Sequence, residues 1–385
     1  METKRVVIRD VRNPEDGELL EAAEVLRNGG LVAFPTETVY GLGGNALDEK
    51  AAGKIYAAKG RPSDNPLIAH ISCMEELEPL VREVSTAGKR LAERFWPGPL
   101  TLVFPKSEKV PYGTTGGLET VAVRMPSDPV ANRLIRLAGI PVAAPSANTS
   151  GRPSPTTAEH VWQDLAGKIE MIVDGGPVGI GLESTIVDVS GDEPVILRPG
   201  AITQEMIGEL LGKVELDPAI TGPIKENVRP KAPGMKYRHY APKGELVLVE
   251  LKEETIRELY RPGSALYGEV SRKMGEWGKS WKIDRESFYM AWKANQEALA
   301  LEKQGRRVGV ICTEETAEEY TVKVKRSIGK RSSAGSIAHN LYAVLREFDD
   351  LGVEVIYSES FSEDHLGQAI MNRLNKAAGY RVMWV

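Results

Sequence analysis

Apolar residues in the first 213 positions follow two alternating periods. Short branched runs read as strands at Arg5 to Arg9, Leu31 to Phe34, Leu67 to Ile71, Leu100 to Phe104, Thr120 to Met125, Ile140 to Pro145, Ile169 to Val173, Glu183 to Val189 and Val195 to Arg198. Three- and four-residue spacing predicts helices over Pro14 to Arg27 (Leu19, Leu20, Ala23, Leu26), Asp48 to Lys59, Asp128 to Leu137, Thr156 or Thr157 to Leu165 and Thr203 to Leu211. Two further helical pieces are expected between Glu75 and Phe95. Asn13 and Asp48 are candidate N-caps, and Gly29-Gly30 is a stop signal. Strands alternating with helices predict an α/β unit over residues 1–213.

The pattern then breaks. Residues 214–243 carry Pro218, Pro223, Pro230, Pro233 and Pro242 with little periodicity, and Lys225, Arg229, Lys231, Lys236, Arg238 and Lys243 outnumber the acids. This reads as a basic linker, long for a connection inside one domain. Tyr237 and Tyr240 give it aromatic groups that would tack it to a domain surface. From Gly244 strand and helix alternate again, with strands at Glu245 to Glu250, Arg307 to Thr313 and Val353 to Tyr357. Helices are expected at Glu253 to Tyr260, Tyr289 to Lys303, Ser336 to Leu351 and Asp364 to Ala377. Residues 244–385 therefore read as a smaller α/β domain with a largely parallel sheet.

Composition narrows the class. At 385 residues, with 42% hydrophobic and 27% charged, the chain has material for two cores. A net charge of −5 argues against a general polyanion binder. Cys73 and Cys312 stand apart, with no metal-ligand spacing and no disulfide framework, which fits a reducing cytosol. The amino terminus lacks a signal-peptide pattern and no apolar run reaches spanning length, so a soluble cytoplasmic protein is expected.

The chemistry concentrates at strand ends. Lys59-Gly-Arg-Pro-Ser-Asp-Asn-Pro-Leu-Ile-Ala-His70 offers a point charge, a planar guanidinium fork and a close-approach glycine, a grip suited to polyphosphate. The same stretch also reads as a solvated loop after a basic helix end. Pro35-Thr-Glu-Thr-Val-Tyr-Gly-Leu-Gly-Gly44 places hydroxyls, a carboxylate and a phenol just past a strand, where α/β folds hold ligands, or is a glycine-rich turn. Arg124, in an apolar strand, is a salt-bridge partner or a carboxylate receptor. Ser146-Ala-Asn148 follows another strand, and Arg198 ends a further one. Neither a dinucleotide fingerprint nor a phosphate-binding P-loop is present, and Ser146 lacks the following glycine of a hydrolase elbow.

Taken together, Pro35-Thr-Glu-Thr-Val-Tyr-Gly-Leu-Gly, Lys59-Gly-Arg-Pro-Ser-Asp-Asn-Pro-Leu, Ser146-Ala-Asn148 and Leu197-Arg-Pro-Gly200 resemble the threonylcarbamoyl-AMP synthase family with its YrdC-like catalytic domain. Arg238-His-Tyr-Ala-Pro242 and Ala338-His-Asn-Leu-Tyr-Ala-Val-Leu-Arg-Glu-Phe348 look like the long, two-domain form. The resemblance implies a twisted, open, mixed sheet with a concave cationic face, joined by a linker to a smaller Rossmann-like α/β domain. It implies a nucleotidyltransferase that converts ATP, L-threonine and bicarbonate to L-threonylcarbamoyladenylate and pyrophosphate, for threonylcarbamoyladenosine in tRNA. By that likeness Lys59 and Arg61 are the catalytic pair. ATP contacts fall on Lys59, Arg61, Asn65, Thr120, Ser146, Asn148, Ser154, Arg198 and Tyr240. Threonine contacts fall on Thr36, Thr38, His70, Arg124, Ala144 and Ser184, with His70 either binding the amino acid or deprotonating it. Mg²⁺ enters with ATP, no protein metal site is expected, and the second domain closes over the site. Expected partners are the downstream tRNA threonylcarbamoyl-transfer machinery and, weakly, RNA, with no membrane. The rival reading is a double-stranded-RNA-binding module without ATP turnover.

Overall fold

The computed structural model describes residues 1–220, 222, 230–233, 239–276 and 283–385. Within the linker, Lys225, Arg229, Lys236, Tyr237 and Arg238 lie outside the described residues. The chain divides into two units, Met1–His239 with Asp364–Asn372, and Tyr240–Glu363 with Arg373–Val385.

The first unit is built on strands β1 (Lys4–Val7), β2 (Val32–Phe34), β3 (Gly41–Asn45), β4 (Ile68–His70), β5 (Leu100–Pro105), β6 (Thr120–Arg124), β7 (Val142–Ala143), β8 (Met171–Asp174), β9 (Thr185–Asp188), β10 (Val195–Arg198) and β11 (Glu215–Leu216). Its helices are α1 (Asp16–Arg27), α2 (Glu49–Lys59), α3 (Thr86–Phe95), α4 (Tyr112–Thr115), α5 (Pro129–Ala138), α6 (Ala158–Leu165) and α7 (Gln204–Leu211). The strands form one sheet in the order β1-β8-β2-β3-β7-β4-β6-β5-β9-β10-β11. Pairing is mixed: β2–β3, β3–β7, β4–β7, β5–β6 and β9–β10 are antiparallel, and β1–β8, β2–β8, β4–β6, β5–β9 and β10–β11 are parallel. The sheet thus runs past residue 213, because β11 pairs beside β10.

Strand alternation sorts the layers. Val32 and Phe34 point to one side, where they share a core with Leu19, Ala23 and Leu26 of α1 and Leu134 and Ile135 of α5. Leu31 and Ala33 point to the other, into a second core that also holds Ile55 of α2, Leu91 of α3 and Val161 of α6. Further along, Ile68, Val103, Ala122, Ile186 and Leu197 form an apolar floor on which Ala232 packs. Asp48 caps its helix through a side-chain oxygen, as expected, and Asp128, Thr157 (rather than Thr156) and Thr203 do the same for theirs. Asn13 does not cap α1. Glu15 does, and its amide donates to Glu18 Oε2 at 3.3 Å. Only the second helical piece expected before Phe95 is an α-helix; Met74–Glu76 and Glu78–Leu80 are 3₁₀ turns, with Pro79 inside the latter.

The second unit holds β12 (Glu245–Glu250), β13 (Val308–Cys312), β14 (Val324–Ser327), β15 (Val355–Glu359) and β16 (Val382–Trp384). Its helices are α8 (Glu253–Tyr260), α9 (Ala265–Glu276), α10 (Arg285–Lys303) and α11 (Ala334–Asp350); α12 (Leu366–Ala378), before β16, is divided, with its residues up to Asn372 in the first unit and those from Arg373 in the second. Sheet order is β14-β13-β15-β12-β16, and every described pairing is parallel. Met290, Ala291, Ala294 and Ala298 of α10 lie against Val308, Val310, Val355 and Tyr357. Among the described residues no helix is long and apolar enough to cross a membrane.

Candidate active site

The loop Pro35–Tyr40 leaves β2 and returns as β3, which is glycine-rich because its neighbours press on it. A Cβ at Gly43 would stand 2.7 Å from Phe34 Cε1 and 2.8 Å from Val142 Cγ1. The loop is braced internally. Thr36 Oγ1 donates to the Val39 carbonyl at 2.7 Å, accepts from the Val39 amide at 3.3 Å, and lies 2.8 Å from Thr38 Oγ1. Neighbouring backbone closes around it. Leu42 donates to the Pro145 carbonyl and Ala147 to the Tyr40 carbonyl, each at 2.8 Å, so Ala144 and Ser146 come beside this loop.

Arg124 stands at the end of β6, where register places it between His70 on β4 and Thr101 on β5. Its side chain is 5% exposed. Nη1 donates to Thr38 Oγ1 at 2.9 Å, Nε reaches the Gly98 carbonyl at 3.4 Å, and Nη2 lies 2.7 Å from Glu37 Oε1. Both readings of Arg124 are therefore open in one place: it is in an ion pair and it sits in a polar recess. Burial pushes the Glu37 carboxyl up, but the charge and hydrogen bond of Arg124 outweigh this and hold it below the usual carboxylate range. Asp128, the α5 cap, is raised to about 6, first by burial and then by the neighbouring Glu37 charge.

His70 is buried, and its Nδ1 lies 3.0 Å from the Ile68 carbonyl. A carbonyl only accepts, so Nδ1 carries the proton of the neutral ring. Burial, followed by the Arg124 charge, lowers its pKa to about 3. Ser184 completes this group: its Oγ is 2.8 Å from Thr101 Oγ1 and accepts from Arg198 Nη2 at 3.2 Å. Arg198 Nε also donates to the Ser184 carbonyl, and Nη1 to the Pro233 carbonyl at 3.3 Å. Thr36, Thr38, His70, Arg124, Ala144 and Ser184 are thus brought together.

The residues expected to meet ATP spread outward from there. Lys59, the last residue of α2, is 1% exposed. Its ammonium donates to the carbonyls of Ser146 and Asn148, while the Ser150 amide donates to the Lys59 carbonyl at 2.8 Å. Ser146 Oγ donates to Asn148 Oδ1 at 2.6 Å. Arg61, half-buried, holds its own loop: Nε donates to the Asn65 carbonyl at 3.2 Å and Nη2 to the Pro66 carbonyl at 3.0 Å. Asn65 Oδ1 is buried without a hydrogen-bond donor. Thr120 begins β6, four residues and about 13 Å from Arg124. It is therefore separate from the threonine group and, two places before the Ile68–Ala122 pair, level with Pro66. Ser154 is buried, its hydroxyl donating to Glu183 Oε1 at 2.5 Å. Tyr240 belongs to the second unit, where its ring stacks on Tyr342 at 5.3 Å.

Two family models match the chain, "Telomere recombination" over residues 24–200 and "Threonylcarbamoyl-AMP synthase, C-terminal domain" over residues 202–379. Threonylcarbamoyl-AMP synthases of Pyrococcus abyssi and Bacillus subtilis are each 45% identical to it, over 99% of both chains and 100% of both chains respectively. The chain belongs to the threonylcarbamoyl-AMP synthase family. That makes it one of a family of nucleotidyltransferase enzymes. The crystal structure of P. abyssi Sua5 complexed with L-threonine is 44% identical and superimposes with a TM-score of 0.84, covering 100% of each chain.

Motif reading missed Glu37, Thr101 and Gly98. Glu37 was visible between two hydroxyls but had no partner in sequence. Thr101 and Gly98 gave no local signal.

The neutral state of His70 has a measurable consequence. An unfolded histidine takes its proton near pH 6.5, whereas the folded one does so at about 3. Across that window the unfolded chain binds the extra proton, so this group removes about 1.4 kcal/mol of stability per pH unit as pH falls. Asp128 acts oppositely between about 6 and the unfolded carboxylate range, where the folded chain holds the extra proton. Comparing His70→Asn with the parent isolates the first contribution. In urea titrations the stability difference is expected to shrink steadily from pH 7 to pH 4. A difference independent of pH would show that the ring is charged in the native state.

Proposed function

We propose that this protein synthesises L-threonylcarbamoyladenylate from ATP, L-threonine and bicarbonate, and so supplies the adenylate that tRNA threonylcarbamoyl-transfer enzymes consume. The observation that carries this reading is Arg124, a buried guanidinium fixed by Glu37 and Thr38 and flanked by a neutral histidine and Ser184. Such a group suits the α-carboxylate of an amino acid. Thr38, His70 and Ser184 then face the amine and hydroxyl.

In the reaction the neutral amine adds to the bicarbonate carbon, water leaves, and an N-carboxylate forms. One of its oxygens attacks the α-phosphorus, and pyrophosphate departs. Two anions must meet, so the protein's work is placement and charge compensation rather than covalent catalysis. Arg61 and Arg198 offer positive charge, and Ser146, Asn148, Asn65, Thr120 and Ser154 offer polar contacts for the nucleotide. A histidine whose pKa lies near 3 is too weak a base to take an ammonium proton, so His70 binds. Mg²⁺ arrives on the triphosphate, held by phosphate and water oxygens. The two free cysteines fit a reducing cytoplasm.

Mass spectrometry of protein with ATP-Mg²⁺, bicarbonate and threonine tests the proposal. Threonylcarbamoyladenylate and pyrophosphate should appear together and only with all three substrates. Untouched ATP, with salt-sensitive binding of duplex RNA, would replace the enzyme reading by an RNA-binding one.

A further inference from the structure

The motif pattern gives Glu37 no role, yet it is the group closest to the Arg124 guanidinium. Its backbone is clamped from a second loop, because the Ile180 amide donates to the Glu37 carbonyl at 2.8 Å and the Gly181 amide to the Thr38 carbonyl at 3.0 Å. The carboxylate therefore starts from a fixed point. With it, the guanidinium is contacted at all three nitrogens: Nε donates to the Gly98 carbonyl at 3.4 Å, Nη1 donates to Thr38 Oγ1 at 2.9 Å, and Nη2 is in the ion pair with Glu37 at 2.7 Å, close but not aligned as a hydrogen bond. Contacts at three corners fix both the plane and the rotation of a planar group. Nη1 keeps one N–H beyond its bond to Thr38, and Nη2, ion-paired but not in an aligned hydrogen bond, also has a donor for a further partner.

We propose that Glu37 is a positioning residue that locks the Arg124 fork in register for the substrate α-carboxylate, so that this carboxylate is selected by bidentate geometry and not by net positive charge. The inference rests on the proposed threonine site. Glu37 offsets the guanidinium charge, so a loosely placed anion gains little there, while a planar carboxylate can still use two parallel N–H donors. Glu37 is not a base in this scheme, since Arg124 keeps its carboxyl below the usual range. The other ionisable neighbours do not substitute for it: His70 is neutral, and Asp128 caps α5 through the Ala131 amide at 3.0 Å.

The test compares L-threonine with L-threoninol, in which a hydroxymethyl group replaces the carboxylate, by calorimetry on the full chain. The parent should prefer threonine, and Arg124→Lys should lose most of that preference. In Glu37→Gln, threonine should bind about ten- to a hundredfold more weakly, with threoninol and ATP within about threefold of the parent. In steady state the KM for threonine should rise while kcat stays within about threefold. If Glu37→Gln fails to fold, Glu37→Asp, which keeps the charge but loses reach, must show the same selective loss. A preference that depends on Arg124 but survives in the folded Glu37 variant overturns this inference alone. Equal weakening of threonine, threoninol and ATP also overturns it, by showing a merely structural role. A parent with no preference for threonine removes the carboxylate-binding reading of Arg124, and the inference with it.

Discussion

Replacing Arg124 by Met is expected to abolish threonine binding and to destabilise the protein by about 3–5 kcal/mol. The two losses have separate causes. The first follows from removing the fork that would receive the α-carboxylate. The second follows from Glu37, whose side chain is only 14% exposed and would keep its charge without its 2.7 Å partner. Burial already pushes the Glu37 carboxyl up, and without Arg124 nothing comparable holds it down. Its folded pKa would then exceed its unfolded one, so the variant should be least stable at high pH and recover as pH falls and Glu37 takes a proton. Adding Glu37→Gln should restore much of the stability and none of the threonine binding. Arg124→Lys should do the reverse of Met in one respect, retaining most of the stability because the charge persists, while losing affinity because the fork does not. Chemical denaturation at several pH values and calorimetry with threonine measure both effects. A stable Arg124→Met protein that still bound threonine would end the proposed assignment.

What could be read from the chain and what could not divide along physical lines. Helix starts were legible at Asp48, Asp128 and Thr203, and to within one residue at Thr157, because a cap is a contact over two or three residues. Alternation told which of Leu31, Val32, Ala33 and Phe34 would face each layer's core only after the sheet was known to be covered on both sides. β3 was read as loop, since Gly-Leu-Gly-Gly has low strand propensity; tertiary crowding by Phe34 and Val142 overrides it. β14, Val-Lys-Arg-Ser, is a polar edge strand with no apolar alternation to announce it.

Within the site, residue types were legible and partners were not. The sequence placed Arg124 and Arg198 at strand ends, but the hydroxyl pair Thr101–Ser184 spans 83 residues and the Lys59–Ser146 contact spans 87. Such contacts are set by strand order, which brings β5 beside β9 and the loop after β7 beside the end of α2. Lys59 shows the limit most clearly. A lysine two residues from an arginine suggests a cation presented to phosphate, whereas in the fold its ammonium is turned inward onto backbone carbonyls.

That placement sets the expected outcome of Lys59→Met, a change that keeps length and removes charge. Two carbonyls, the part-buried one of Ser146 and the buried one of Asn148, would lose the donor that now satisfies them, at a cost of about 2–5 kcal/mol. The loop they belong to would be left with the Ser150 amide on the Lys59 carbonyl as its hold on α2 among these contacts. Since Ser146 Oγ is oriented by Asn148 Oδ1, both groups of the Ser-Ala-Asn motif would lose their setting together. Activity should therefore fall by about 10²–10³-fold, the scale for losing a preorganised polar contact. The decisive measurement is a double-mutant cycle with Asn148→Ala. If Lys59 acts by shaping this loop, the two changes act on one structure and their effects on kcat/KM should fall well short of additive. If Lys59 instead meets the phosphates directly, the effects should add, and the KM for ATP should rise in Lys59→Met with little change in stability. The geometry favours the first outcome, because the ammonium of a lysine that is 1% exposed, bound to two carbonyls, would have to leave both to reach a ligand.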